Sequence, residues 1–499
     1  MAAKHIIVIG GGPGGLAAGM LLQSKGFQVT VLEKQPYVGG RTSRIVRDGY
    51  VFDRGPTFLN MPHILEEAFQ ESRKNLHDYV TLKKIEPMYE LVFNNMSFFP
   101  TTDKQEMYNR IKQQFPGDEE GYYAFMEGTK KRFDKLMPIL QNTHGQWRDY
   151  LRLRTLKAVP QLALGKSLYD VLSDYFTDER LKLTFTFQSK YLGMSPWNCP
   201  GAFSILSYME YEYGVFHPLG GMNQLSEAMA RAIREDGGTI HTGTGVKRVI
   251  VENGRASGVE LESGEEMQAD EVIINADFAH AASTLFEQKD LKKWNQKKLD
   301  SMEYSCSTFM LYLGLDTTYD APHHTIVFAD DYKQNVEEIT GTKLLSKDPS
   351  IYVQNGSVTD ESLAPEGHSA LYILVPVPNN LSGINWEDEK ERFRDLALDI
   401  LEKRTAFKGI REHIVTEMIT TPKDWEESYF VYNGATFNLA HSLDQMMYFR
   451  PHNKFEDIEN CWLVGGGTHP GSGLPTIIQS ARITAGEIKR GERQGRKAE

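Results

Sequence analysis

The stretch His5-Ile6-Ile7-Val8-Ile9-Gly10-Gly11-Gly12-Pro13-Gly14-Gly15-Leu16 decides the fold class. Residues 5–9 read as a buried strand, residues 10–15 as a turn, and Leu16 to Ser24 as a helix. A second strand from Gln28 to Leu32 completes a βαβ unit. Gly10, Gly12 and Gly15 fill G-x-G-x-x-G between strand and helix. Such glycines allow a tight turn, backbone approach to a pyrophosphate and close helix-to-strand packing, and the helix N-terminus adds free N–H groups and positive potential. Glu33 falls at the end of the second strand, where a carboxylate can hydrogen-bond a ribose hydroxyl. The pattern predicts an α/β, Rossmann-type domain that holds a dinucleotide.

Gly39-Gly40-Arg41 follows Glu33 closely and returns a flexible backbone and an arginine toward the phosphates, which favours a flavin over a nicotinamide cofactor. Asp53-Arg54-Gly55-Pro56-Thr57 reads equally as a surface turn or as backbone laid against the cofactor. Near the other end, Gly465-Gly466-Gly467-Thr468-His469-Pro470-Gly471-Ser472-Gly473-Leu474-Pro475 leads into a helix from Thr476 to Lys489. A glycine-dense strand-to-helix turn aims backbone donors at an electron-rich group, and the flavin edge that becomes negative on reduction is a suitable target. His469 in that turn is read as a backbone-bonded histidine ahead of a catalytic one. No second G-x-G-x-x-G follows a strand, so reoxidation of a flavin would fall to oxygen or a quinone rather than to a built-in pyridine-nucleotide domain.

Composition narrows the alternatives. With 55 Lys+Arg against 67 Asp+Glu the formal charge is -12, which argues against a nucleic-acid partner. Cys199, Cys306 and Cys461 are too few and too scattered for a disulfide framework or a metal site; the expectation is three buried thiols in a reducing compartment. There is no H-E-x-x-H, no clustered Cys/His spacing and no G-x-S-x-G, and His323-His324 after Pro322 reads as a loop. No run approaches the ~20 apolar residues of a spanning helix, and Met1-Ala2-Ala3-Lys4 passes directly into the first strand without a signal-like segment. A cytoplasmic location is the expectation. Arg148 to Leu164 mixes basic with Leu and Val residues, a composition that suits an anionic bilayer surface or an ordinary packed segment equally, with Pro160 interrupting it.

Two interleaved units are expected. Residues 1–80, 205–300 and 455–499 would form the nucleotide-binding domain, and residues 81–204 and 301–454 a substrate-binding and membrane-contact domain, the first insertion being mainly helical. Helices are anticipated over Glu119–Met137, Lys166–Phe176 and Glu387–Arg404, and strands over Val246–Val251, Ala256–Leu261, Ser307–Leu313, Ala370–Val375 and Cys461–Val464.

Across nearly its whole length the chain resembles the bacterial phytoene desaturase family, including the dehydrosqualene (diapophytoene) desaturases, within the flavin amine oxidase-like superfamily. The resemblance rests on Gly10 to Gly15, Glu33 and Gly39-Gly40-Arg41 and on five narrower motifs. These are Asp53 to Thr57, Gly214-Val-Phe-His-Pro-Leu-Gly-Gly221, Ser362-Leu-Ala-Pro-Glu-Gly367, Phe449-Arg-Pro-His-Asn453 and Thr468-His-Pro-Gly-Ser-Gly-Leu-Pro475. It implies a Rossmann-type FAD domain with an interleaved α+β substrate domain, and an FAD enzyme that withdraws hydride from an acyclic carotenoid polyene. It further implies that Gly10, Gly12 and Gly15 hold the pyrophosphate, Glu33 the adenosine ribose, Arg41 the phosphate region and Val246 the adenine, with Pro13, Gly14, Lys34 and Gly40 also binding the cofactor. Pro56, Thr57, Gly467, Thr468 and Pro475 would face the flavin. An acid–base pair of pattern Asp-x-x-Arg maps to Asp149 and Arg152, which read equally as a helix-surface ion pair. A hydrocarbon substrate requires a long apolar tunnel, for which Phe185, Phe187, Tyr191, Phe203 and Tyr208 are candidates, and it makes peripheral membrane association the expectation, with Arg148 to Leu164 as the contact. A carotenoid oxidase, isomerase or saturase of the same family, or a non-catalytic carotenoid-carrying flavoprotein, would share most of these residues. Thirty- and forty-carbon substrates are not separated.

Overall fold

The computed structural model describes residues 3–143 and 147–498. The opening aliphatic run forms strand β1 (His5–Ile9), followed by helix α1 (Pro13–Ser24) and strand β2 (Gln28–Leu32). The helix begins three residues earlier than the periodicity suggests, because Pro13 fixes its φ at a helical value and lacks only an N–H that the first turn leaves unpaired. Strands β3 (Thr239–His241), β4 (Glu271–Ile274) and β5 (Cys461–Leu463) complete a parallel sheet of order β3-β2-β1-β4-β5. In register, Ile7 stands opposite Val272 on one side and Thr30 on the other. Helices α2 (Asn223–Glu235) and α3 (Leu474–Ala498) pack against α1. The sheet thus draws strands from near residues 5–32, 239–274 and 461–463, and both glycine turns leave it at strand C-terminal ends, where open α/β sheets place ligands.

A seven-stranded sheet builds the second layer, in the order Ile414–Thr420, Ser307–Leu315, Ser369–Val377, Ile351–Asn355, His324–Val327, Glu90–Phe93 and Met96–Phe98. Its last two strands come from the stretch expected to be mainly helical. Glu90–Phe93 forms a local hairpin with Met96–Phe98 and pairs in parallel with His324–Val327, so the hairpin is held in this sheet by a partner more than 200 residues away that local pattern does not reveal. His324 accordingly starts a buried strand, not a loop, and His323 is buried beside it. Ser307–Leu315 is buried at every position, as a strand covered on both faces should be.

Helix Glu119–Leu140 runs past the expected end at Met137 and tolerates Pro138 in its last turn. One apolar cluster extends from Ile6 and Leu16 in the nucleotide-binding layers through Phe125 and Phe187 to Ile205. At about 1.5–3 kcal/mol per buried large aliphatic or aromatic side chain, this shared core makes the two layers one packing unit. Cys199, Cys306 and Cys461 are free and buried.

Candidate active site

The first glycine turn is held from below by Asn275, the residue after β4. Its Nδ2 donates to the Gly10 carbonyl at 3.1 Å. Gly10 has φ 97°, and a Cβ on it would lie 2.3 Å from the Asn275 carbonyl oxygen, so glycine is required there on both counts. The Glu33 carboxylate accepts the Gly11 N–H at 2.7 Å and the Gln35 N–H at 2.8 Å, and burial pushes its pKa up against those bonds. The Gly39 N–H donates to the Gly11 carbonyl at 2.8 Å, and a Cβ on Gly40 would stand 3.3 Å from Gly12 Cα, so the second glycine pair closes over the first turn. Arg41 extends from that pair to the Thr436 carbonyl at 2.6 Å and to Asp277 at 3.1 Å. The Thr244 N–H donates to the Glu33 carbonyl, and half-buried Val246, two residues after Thr244, starts the strand Val246–Glu252. Lys34 points outward, paired with Glu262 at 2.8 Å and lying over the Phe430 ring.

A cavity of about 420 Å³ opens from this turn. Pro13, Arg41, Pro56 and Thr57 line its near end, and Pro470 to Ile477 line one side. Pro13 starts α1, and Leu474 and Pro475 start α3, so two helix N-termini converge on one space and set positive potential there. Thr57 reaches the wall through a 2.5 Å hydrogen bond with Tyr352, and the Gly55 carbonyl accepts the Tyr372 hydroxyl at 2.6 Å. Gly55 to Thr57 is therefore backbone laid along the cavity, while Asp53 ends the strand Tyr50–Asp53 outside it. Phe187, Tyr191, Phe203, Met209, Ile326 and Phe328 form the far wall. Of the five aromatics anticipated, Phe187, Tyr191 and Phe203 line this space; Phe185 and Tyr208 do not, Phe185 stacking on Phe176 and Tyr211, and Tyr208 packing on Phe133. No aspartate or glutamate lines it.

The flavin containing amine oxidoreductase family matches residues 13–489, a span that starts within the first glycine turn, at the head of α1, and takes in the C-terminal turn and the cavity lining. The chain belongs to this family. It is 50% identical to a 4,4'-diapophytoene desaturase (4,4'-diapolycopene-forming) of Methylomonas sp, over 97% of this chain and 94% of that one. It is 37% identical to an all-trans-zeta-carotene desaturase of Myxococcus xanthus, over 98% and 93%. A solved putrescine oxidase variant shares the fold at a TM-score of 0.64 with 14% identity, covering 98% of this chain and 99% of that one.

FAD, the cofactor of this oxidoreductase, fits the residues present. The cradle around Gly10 to Gly15 has no room for a Cβ on Gly10, Gly14 or Gly15, and two buried polar atoms near the C-terminal turn, His441 Nδ1 and Thr436 Oγ1, have no protein partner. His441 and Thr436 both line the cavity. Gly467 and Thr468 support the turn from behind. A Cβ on Gly467 would meet Phe278 at 2.7 Å, and the Thr468 hydroxyl donates to the Pro451 carbonyl at 2.6 Å. His469 is buried and its Nε2 lies 2.9 Å from the Asn142 carbonyl, the backbone-bonded role anticipated for it. Asp149 and Arg152 pair with each other at 2.7 Å, with the Arg152 side chain 66% exposed, and neither belongs to the cavity wall.

Sequence reasoning missed four residues. Asn275 could have been found as the residue that ends the apolar run Val272–Ile274. Arg450 lay in a quoted motif without a role: fully buried, it donates to the carbonyls of Gly466 at 2.8 Å, Thr468 at 3.3 Å and Ala440 at 3.4 Å, and so fixes the C-terminal turn. Burial lowers its pKa to about 9, which leaves it cationic at neutral pH. His441, whose Nε2 accepts the Ser472 N–H at 3.1 Å, and Lys190 carry no local signal.

Proposed function

We propose that the protein is an FAD-dependent carotenoid desaturase that introduces conjugated double bonds into an acyclic polyene of the diapophytoene or phytoene type. The observation that carries this reading is the cavity, which joins the dinucleotide turn to an apolar wall with no carboxylate to receive a charged substrate. FAD supplies the hydride acceptor. The protein's share is to bury the chain at about 0.8 kcal/mol per CH₂ taken from water, to hold it against Phe187, Tyr191 and Phe328, and to exclude water while a delocalised allylic cation exists. The converging N-termini of α1 and α3 and the Arg450 guanidinium behind the turn favour negative charge on the cofactor side. The 50% identity to a 4,4'-diapophytoene desaturase favours the thirty-carbon substrate.

Such a substrate resides in a bilayer, and the segment from Arg148 to Leu164 supports peripheral contact. Leu151, Leu156 and Leu164 are 60%, 50% and 60% exposed. Ala163 packs beside Gly201, at the start of the turn Gly201–Ser204 whose Phe203 lines the cavity, so the stretch is adjacent to the cavity wall. Asp149 and Arg152 enter this reading as the ion-paired joint of that stretch. No helix among the described residues is long and apolar enough to cross a membrane. A quinone or oxygen would accept the electrons.

An anaerobic absorbance time course of FAD-loaded protein with liposomes containing diapophytoene or phytoene tests the function. Flavin bleaching together with longer-wavelength polyene bands is expected, faster with the thirty-carbon chain. Bound FAD that no polyene reduces would end the desaturase reading.

A further inference from the structure

A hydrocarbon offers nothing for an amine to recognise, yet Lys190 stands on the cavity wall, on the turn Phe187–Leu192. Its Nζ lies 4.6 Å from the centre of the Tyr332 ring, and among the described residues no carboxylate comes within 4 Å of it and no hydrogen-bond acceptor engages it. The turn ends at Gly193, where a Cβ would lie 2.7 Å from Ser305 and 2.9 Å from Phe437. Ser305 Oγ accepts the Phe437 N–H at 3.0 Å, and the Phe437 carbonyl accepts the Ser472 hydroxyl at 2.9 Å, so Lys190 is braced against the same C-terminal turn that borders the cofactor end. We propose that Lys190 Nζ accepts the proton lost from the polyene carbon next to the one that loses hydride. The inference rests on the desaturase reading.

The step balances. At one carbon the C–H bond breaks and its electron pair leaves with the hydrogen to the bound FAD. At the neighbouring carbon the C–H bond breaks, its pair becomes the new π bond, and the proton joins the nitrogen lone pair. The resulting ammonium gives the proton to water after the product has left the cavity.

The other titratable groups on the wall are unsuited. Arg41 is engaged with Asp277 and the Thr436 carbonyl. Tyr191, Tyr332, Tyr352 and Tyr372 are pushed above their ordinary pKa by burial and stay protonated. His441 takes the Ser472 N–H on Nε2, so its proton sits on Nδ1 and it faces its surroundings as a donor. Groups near Lys190 are Tyr191 on its own turn, Cys306 before the strand Ser307–Leu315, Tyr332 on the helix Tyr332–Glu337 and Glu210 behind Tyr191, on the helix Ile205–Tyr213. Burial pushes the Cys306 thiol up to about 12, which keeps it neutral. Burial also lowers Lys190 to about 7, so a free amine is available at neutral pH.

Two measurements on the FAD-loaded protein test this. In the first, competitive labelling with the apolar amine reagent fluorodinitrobenzene across pH, read peptide by peptide in a mass spectrometer, should show Lys190 reacting with a midpoint near pH 7. Exposed lysines should react some three units higher, about pH 10. The second is anaerobic flavin reduction by diapophytoene in liposomes. The wild-type rate should rise tenfold per pH unit below about 7 and level above it. Lys190→Met, with full FAD content, should be slowed at least about 100-fold and lose the pH dependence, and Lys190→Ala should regain rate with added ethylamine. Lys190→Met reducing FAD within threefold of wild type, an unchanged pH profile in that variant, or labelling of Lys190 together with the exposed lysines would each overturn the proposal. If wild-type FAD is not reduced at all, the desaturase reading has failed, and this inference with it.

Discussion

Substituting Gly15 by alanine while adding the same methyl group at Gly486 as a control sets the geometry of the first turn against a number. A Cβ at residue 15 would lie 2.3 Å from the Gly10 carbonyl oxygen and 3.0 Å from both Cβ and Nδ2 of Asn275. Carbon-to-oxygen contacts settle near about 3.3 Å, so roughly 1 Å of movement is demanded of main chain. Neither side can yield cheaply: β1 is paired to β4 through Ile9 and Ile274, and α1 is tied to the turn by the Leu16 N–H bond to Gly12 at 3.0 Å. Overpacking of this kind costs about 1–3 kcal/mol. If the strain is relieved by shifting the amides that cradle the pyrophosphate, FAD affinity falls about 5- to 140-fold at 1.4 kcal/mol per decade. At Gly486, inside α3, a Cβ meets nothing within 4 Å, and alanine should add about 0.8–1 kcal/mol of helix propensity without touching FAD. Titration of apoprotein with FAD, followed by flavin fluorescence, and urea unfolding of each variant give both quantities. A Gly15→Ala protein that binds FAD within threefold of wild type and unfolds at the same urea concentration would refute the steric argument.

Glu33→Gln keeps shape but leaves one acceptor oxygen for the two N–H groups of Gly11 and Gln35 and removes a charge-assisted bond to a ribose hydroxyl, so FAD should bind about 10- to 100-fold more weakly in the same titration. Lys190 binds a proton up to its ordinary 10.5 when unfolded but only to about 7 when folded, so it costs stability fully below pH 7 and progressively less up to pH 10.5. Lys190→Met should therefore melt higher than wild type at pH 7, and scanning calorimetry should find the difference shrinking toward pH 10. Replacing Leu151, Leu156 and Leu164 together by serine should cut sedimentation with anionic vesicles at least tenfold while leaving FAD content and melting temperature unchanged, since these side chains are exposed.

The parts of this architecture that were legible in sequence are those in which chemistry is written locally. Gly10, Gly12, Gly15 and Glu33 announce themselves because a strand, a turn and a carboxylate must follow one another within one βαβ unit, and β1 and β2 fall at the residues expected. Helix Trp386–Arg404 and strand Ser369–Val377 were likewise readable from periodicity. What stayed hidden depends on partners distant in the chain. Glu90–Phe93 joins the seven-stranded sheet because His324–Val327 lies beside it, Asn275 matters because β4 inserts next to β1, and Arg450 matters because three carbonyls converge on it. Lys190 looked like one lysine among many, and only its place on an apolar wall sets it apart.

The order of the strands has a bearing on biosynthesis. The edge strand β5 and the helix α3 that packs on α1 follow the glycine turn they complete by roughly 450 residues, and so leave a ribosome well after it. At about 5–20 residues per second, some 20 to 90 s separate the two. Until then the free edge of β4 and the side of α1 that meets α3 lack their permanent cover, and a cofactor could be clasped only at one end. FAD capture therefore waits on the synthesis of β5 and α3, and a chain cut before Cys461 would carry a complete dinucleotide motif yet lack the C-terminal turn that forms the other side of the cavity.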